Sequence, residues 1–553
     1  MKNELNIKII SSLEKLYNGD TVPEKEYTKL SMLSDEIKSF QAVITSDIER
    51  KCKIYLSGGF KNAVIYSVEN IPSELPITDG SDDYCKISND GTYPDLLLPI
   101  TDEVTLKKGN NVFWIELSAK ENTAGLHTVT VNAQIGEEIA KASLSVEIID
   151  CKLDFNGFVY TCWFHTDCLM TYYNIKAFSP EYWQAVENYL HTAVKYGMNC
   201  VLTPIFTPPL DTEVGGERPT AQLVDVYFNG HSYSFGFDRL TQWIEIAKKQ
   251  GIEYFEFSHF YTQWGARHAP KIVGIVNGEE KQLFGWKTKA GGREYTEFLE
   301  CFSVAFKEYV EKNGLRDKCF LHVSDEPNFG CIIPYRKASK TVHRLFKGYK
   351  IIDALSDYTF YRLKIVSTPI PSNDHIGKFI GKTDELWTYY CSSQRKNYVS
   401  NRFFCHPSLR NRVLGFQMFK YGVCGFLHWG YNFYYTQFSK ASVDPYKVSD
   451  AGGKFPSGDS YIVYPAPKLT PYPSIRLMVF YDALQDMAAL NALSRLTSHK
   501  QALEIIEENT DGITFGEYPH SEDWLLNARE RVNEKIKEIT ATEKYNENST
   551  ENP

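Results

Sequence analysis

The chain has 553 residues with 43% hydrophobic and 23% charged side chains and a net charge of −9. This is the composition of an ordinary globular protein able to bury large cores, and its acidic balance, with basic residues scattered, argues against a nucleic-acid partner. No stretch approaches the roughly 20 apolar residues a membrane span needs. The start, Met1-Lys2-Asn3-Glu4-Leu5, has no apolar segment after its charge, so we expect no signal peptide and a cytoplasmic location.

The twelve cysteines form no Cys-x-x-Cys pair, and several sit inside apolar runs, such as Cys200, Cys319 and Cys424. They read as reduced core thiols rather than a disulfide framework or a zinc site. Aromatic residues are abundant, with 36 Tyr, 33 Phe and 9 Trp. Such rings stack on the C–H faces of sugars, and they also simply fill cores.

Residues 1–150 read as all-β. Val104 to Leu106, Asn111 to Leu117 and Thr128 to Ala133 alternate as half-buried strands do, with the turns Lys108-Gly109-Asn110 and Asn122 to Gly125 between them, and Ser143 to Ile148 closes the series. Short strands at this spacing predict an N-terminal β-sandwich domain. From about 151 the texture changes to apolar strands alternating with helical patterns, which predicts a parallel sheet with crossover helices. Eight strands are expected, over 158–163, 200–203, 254–257, 319–323, 351–355, 364–367, 385–390 and 424–429. Eight strand–helix units over 151–495 predict an α/β fold, a (β/α)8 TIM-like barrel carrying the catalytic site. A Gly/Pro/Tyr-rich stretch over 431–473 follows as a loop, then a helix over 474–493. Residues 496–553 are expected to be a short helical C-terminal extension with a disordered tail from Asn546.

The chemistry concentrates at the end of the fourth strand, where Cys319-Phe320-Leu321-His322-Val323 runs into Ser324-Asp325-Glu326-Pro327. Pro327 cannot donate to a ladder and ends the strand. In a barrel this end of the strand is the catalytic rim; elsewhere an acidic pair before a proline would cap a helix or face water. Glycosidases commonly use two carboxylates, one on each face of the sugar, about 5 Å apart in retaining enzymes. Sequence neighbours approach from one side, so Asp325 and Glu326 suit another arrangement. If the sugar carries a 2-acetamido group, its carbonyl oxygen can attack the anomeric carbon. One carboxylate then holds the acetamido N–H while its neighbour protonates the leaving oxygen.

The segment His322-Val323-Ser324-Asp325-Glu326-Pro327 resembles the signature of glycoside hydrolase family 123. Three further segments resemble the family in order and spacing: Trp387-Thr388-Tyr389-Tyr390-Cys391, Gly425-Phe426-Leu427-His428-Trp429-Gly430-Tyr431-Asn432, and Gly458-Asp459 followed by Ser474-Ile475-Arg476. The resemblance implies an N-terminal β-sandwich, a (β/α)8 catalytic domain and a retaining exo-β-N-acetylgalactosaminidase acting through the 2-acetamido group on glycans or glycosphingolipid oligosaccharides. It implies Glu326 as general acid/base and Asp325 as the group orienting the acetamido nitrogen.

Other residues at strand ends are candidates for substrate binding. Trp387 and Tyr389 share one face of the seventh strand, and a Tyr389 hydroxyl can hold the acetamido carbonyl; Tyr390 takes that place if the strand phase shifts by one. Trp429 and Asn432 follow the eighth strand, His165 and Asp167 the first, and His259 and Trp264 the third. Asp459 can take sugar hydroxyls, and Arg476 can do so or serve as a structural ion-pair partner. Glu256, inside an apolar strand, reads as a paired core carboxylate. No His-x-His or Glu-x-x-His pair points to a metal, no Gly-rich loop points to a nucleotide, and we expect no cofactor. The expected partner is a carbohydrate with a terminal β-linked N-acetylgalactosamine; oligomeric state stays open. Two rivals remain: a two-carboxylate retaining glycosidase with its nucleophile elsewhere (Glu256 or Asp459), and a non-catalytic carbohydrate-binding protein.

Overall fold

The computed structural model describes residues 5–101 and 103–550, with side chains as far as residue 542. Of the expectations at the chain ends, the stretch before Leu5 and the last three residues of the tail lie outside the described residues. The chain forms two compact units, one from Met1–Gly157, Arg395–Gly422 and Tyr472–Pro553, the other from Phe158–Gln394 and Val423–Pro471.

The first unit holds two five-stranded sheets among the described residues. One runs Asn6–Ser11, Ile37–Ser46, Gly109–Ser118, Ala63–Ser73, Gly91–Pro99; the other Lys29–Leu33, Glu138–Ile149, Gly125–Ile135, Arg50–Ser57, Glu103–Leu106. The strands alternate because one side chain in two must leave water. The inward set from both sheets, including Phe40, Phe113, Ile115, Val129, Val131 and Leu144, forms one buried cluster.

Helices Ser408–Arg412, Leu414–Tyr421, Ile475–Leu496, His499–Ile506 and Glu522–Thr550 also belong to this unit. The last runs through residues expected to be a disordered tail. Its Leu525, Ala528, Val532 and Ile536 fall three to four apart and are fully buried. Arg529 on the same stripe reaches both Glu36 oxygens at 2.9 and 3.0 Å and Asp486 at 3.0 Å. Asp486 is also bound by Arg412 at 2.7 Å. Burial works against its charge, yet the guanidinium groups of Arg412 and Arg529 hold its carboxyl below the usual range.

The second unit is built on a parallel sheet of eight strands among the described residues. The order is Thr368–Ile370, Lys350–Ala354, Cys319–Leu321, Tyr254–Phe257, Cys200–Thr203, Val159–Cys162, Val423–His428, Leu386–Tyr389. The ends approach each other: the Tyr389 N–H donates to Pro371 O at 3.1 Å and the Asn373 N–H to Tyr389 O at 2.9 Å, which brings the sheet round as a TIM-like barrel. Side chains of one parity fill the interior, among them Leu202, Phe320, Ile352, Ile370, Trp387 and Leu427. Gly425 is part of this packing, since a Cβ there would stand 2.3 Å from the Trp387 ring.

The sixth strand is Thr368–Ile370, four residues later than the expected 364–367. The chain leaves helix Tyr358–Arg362 through a turn at Lys364, whose φ is +54°, and the Ile365 N–H closes back on Phe360 O at 2.9 Å. The apolar Ile365 and Val366 are buried in that turn.

Candidate active site

Cys319–Leu321 stops as a strand at Leu321, and both its flanks then pin the following residues. On one side, the N–H groups of Phe260, Tyr261 and Trp264 donate to the carbonyls of His322, Val323 and Asp325 at 3.3, 3.0 and 2.9 Å. On the other, Asp353 Oδ1 accepts from the Val323 and Ser324 N–H groups at 3.0 and 3.3 Å, while Tyr335 donates to Oδ2. Held so, the chain delivers two carboxylates to one pocket at the C-terminal ends of the strands. Glu326 sits at φ +42°, directly before Pro327. A left-handed conformation in a non-glycine residue costs of order 1–3 kcal/mol and persists only where the surroundings enforce it.

The pocket is a cleft of about 190 Å³. Asp325 and Glu326 face Tyr389, Trp429, Trp264 and His165 across it, over a floor of Trp163, Ala354 and Leu427. The Tyr389 hydroxyl donates to Glu326 Oε1 at 2.7 Å. Burial raises the Glu326 carboxyl above its usual range, and the Tyr389 bond only partly offsets it. Burial and the neighbouring Glu326 push Asp325 up as well; the His322 cation opposes them. The two carboxyls therefore titrate as a pair, and the first proton is held more tightly than on either group in water.

Beneath the pair lies a closed charge network. Glu256 is fully buried. Its Oε1 accepts from His322 Nε2 at 2.6 Å and Trp163 Nε1 at 2.7 Å, and its Oε2 from the Thr161 hydroxyl. His322 Nδ1 stands 3.5 Å from Asp353 Oδ1. Burial alone would lower His322, but the carboxylates of Asp353 and Glu256 prevail and raise it to about 9. His259 stacks on His322 with ring centres 4.3 Å apart; burial and that cation drive it well below the usual value, so it is neutral.

The structure thus brings together Asp325, Glu326, His165, Trp264, Tyr389 and Trp429. It sets the other sequence candidates elsewhere. Trp387 shares the face of Tyr389 but lies two residues deeper, inside the barrel. Tyr390 points the opposite way, packing on Phe426 and His428 at 5.0 and 5.3 Å. Asp167 makes a buried pair with Arg218, both contacts at 2.8 Å. Asn432 spends its side chain on the His165 main chain, accepting at 2.8 Å and donating at 3.0 Å. Asp459 accepts from Trp429 Nε1 at 3.1 Å and so orients that ring. His259 lies under the pocket. Arg476 belongs to the other unit, where it grips Asp95 at 2.8 and 2.9 Å.

Asp211 was not singled out from sequence, yet it lines the pocket. Burial lifts its carboxyl to about 6, partly countered by the Phe438 N–H, which donates at 2.9 Å. Gln263, Ser392, Gln437 and Phe455 join it. They come from loops, and the signal available was only their position after strand ends.

A pocket with paired carboxylates on the C-terminal rim of a parallel barrel has the build of a glycoside-cleaving site, and the comparisons agree with that class. The model of the glycoside hydrolase 123 catalytic domain matches residues 163–493. The chain belongs to glycoside hydrolase family 123. Among solved structures it is similar to a family 123 glycoside hydrolase from Clostridium perfringens, a structure detailing glycolipid glycan hydrolysis. That likeness has TM-score 0.73 and 14% identity over 98% of this chain and 100% of that one. A Parabacteroides merdae β-glucuronidase is far looser, with TM-score 0.28 and 10% identity over 88% of this chain and 51% of that one. No curated protein matches the sequence.

Proposed function

We propose that this glycosidase is a retaining exo-β-N-acetylgalactosaminidase in which the substrate's own 2-acetamido group is the nucleophile. The observation that carries the reading is the placement of the adjacent Asp325 and Glu326 in one pocket, while Glu256 below them is saturated by three hydrogen bonds. Glu326, raised by burial, protonates the glycosidic oxygen as the bond to the anomeric carbon breaks. Burial and Glu326 raise Asp325, with the His322 cation opposing them; with the shared proton on Glu326, the Asp325 carboxylate accepts the acetamido N–H and makes the carbonyl oxygen a better nucleophile. That oxygen closes on the anomeric carbon to give an oxazoline. Glu326, now a carboxylate, takes a proton from water as the water opens the ring, and configuration is retained. Trp429, fixed by Asp459 and by the edge of Phe455 at 5.4 Å, walls the sugar subsite. The glycolipid work on the Clostridium perfringens enzyme supports oligosaccharides of glycolipids as substrates.

Asp211 favours a second reading. It is a further carboxylate in the same pocket, open to the role of nucleophile in a two-carboxylate glycosidase. Hydrolysis of paired aryl β-glycosides of N-acetylgalactosamine and N-acetylglucosamine tests specificity, with preference for the first expected. A thiazoline mimic of the oxazoline tests mechanism. Strong competitive inhibition is expected; weak inhibition, together with trapping of a glycosyl ester on Asp211, would replace the proposal with the second reading.

A further inference from the structure

Far along the sequence from the carboxylate pair, the first unit brings together a group of soft ligands. Cys85 and Cys405, 320 residues apart, stand with their sulfurs 3.3 Å from each other. One ring nitrogen of His406 completes a triangle in which all three ligand atoms lie within 4.8 Å of one another. Cys405 and His406 are buried and Cys85 half-buried. The His406 Nδ1 is buried without a hydrogen-bond partner, although the ring as a whole has an acceptor in the Asn401 backbone. A buried imidazole anchored through one nitrogen and bare at the other is how a metal-ligating histidine is held.

The surroundings fix the group from both segments. The Lys86 N–H donates to Cys405 O at 3.3 Å. Lys15 donates to Phe404 O at 3.1 Å and His406 O at 2.8 Å, binding the loop through its carbonyls. Arg410, just beyond, is neutralised by Asp82, with contacts at 2.6 and 2.8 Å. A cavity lined by Cys85, Lys86, Tyr84, Pro407 and His520 opens beside Cys85 and offers an entry path.

We propose that Cys85, Cys405 and His406 form a zinc-binding site. Two thiolates on one tetrahedral zinc, each at about 2.3 Å, stand roughly 3.8 Å apart, so the sulfurs need to open by only about half an ångström. A disulfide requires them to close to about 2.05 Å and gives the bare His406 nitrogen no role. Binding releases the two thiol protons, places both sulfurs and the neutral imidazole on the metal, and leaves a fourth position for water from the cavity. No Cys-x-x-Cys spacing announces the site because its ligands come from two distant segments.

The test uses the full-length chain, reduced and stripped of metal, titrated with zinc against a chromophoric chelator. One zinc per chain is expected, and cobalt in its place should show thiolate-to-metal absorption bands. Cys85→Ser and His406→Gln should each weaken zinc binding by at least about 100-fold, since losing a mere orienting partner already costs up to that much. Because a variant can misfold, alkylation mapping of the wild-type protein runs in parallel: zinc should protect Cys85 and Cys405 from a thiol reagent. Absence of zinc uptake, protection of other cysteines, or undiminished affinity in both folded variants would overturn the proposal.

Discussion

The Tyr389 hydroxyl donates to Glu326 Oε1 at 2.7 Å, joining the end of the seventh barrel strand to the left-handed residue after the fourth. This bond stabilises the carboxylate form and is the one resolved influence that opposes the burial lifting Glu326. Tyr389→Phe should therefore raise the Glu326 pKa further. A hydrogen bond to a charged group is worth about 1.5–3 kcal/mol, and 1.36 kcal/mol is one pH unit. With Glu326 as the acid, the alkaline limb of kcat/KM should move up by about one to two pH units. A limb that stays in place would separate Tyr389 from the titration of Glu326.

On the proposed mechanism, replacing the two carboxylates should give different signatures. Glu326→Gln removes the proton donor, so turnover of substrates with poor leaving groups should fall by about 10²–10⁴-fold, with a smaller loss on activated aryl glycosides. Asp325→Asn weakens ring closure onto the acetamido oxygen, a step common to all substrates, so its loss should be alike across leaving groups. A Brønsted series over aryl leaving groups distinguishes them. Parallel plots for both variants would contradict the division of roles.

The histidine under the site makes stability depend on pH. The folded chain raises His322 from 6.5 to about 9. A raised value means that the stabilisation is fully present below about pH 6.5 and is lost as the pH climbs through 9. The full difference amounts to roughly 3 kcal/mol. Urea unfolding of the wild type should weaken between pH 6.5 and 9, and His322→Asn should be less stable throughout but flatter over that window. Equal slopes in the two proteins would mean that another group governs this range.

Two packing variants probe the frames of the units. Arg529→Ala leaves Glu36 and Asp486 buried with a partner removed, and breaking a buried pair in this way costs about 3–5 kcal/mol. Gly425→Ala drives a methyl into the Trp387 ring, and overpacking of this kind costs about 1–3 kcal/mol. Denaturant midpoints should fall in both. In Gly425→Ala, the additional replacement Trp387→Phe should restore part of the loss, which a purely backbone effect of the alanine would not allow.

The sequence by itself determined where most of the barrel strands lie and that one of them runs into two adjacent carboxylates. The second and third barrel strands, Cys200–Thr203 and Tyr254–Phe257, fall on their expected residues, because a short apolar run between turn signals is a local property. The carboxylate pair was legible for the same reason: an apolar strand, two acids and a proline are contiguous. Depth and partnership were decided only by the tertiary structure. Trp387 and Tyr389 share a strand face, and only closure of the barrel makes one core filling and the other a pocket wall. Arg476 finds Asp95 across 381 positions, Asp167 finds Arg218 across 51, and Asn432 finds the His165 backbone across 267. Each had the right residue type and place for a sugar contact. A buried polar group must be satisfied by whatever the fold brings beside it, and that neighbour is set by the packing of the whole unit, which no local window of sequence contains.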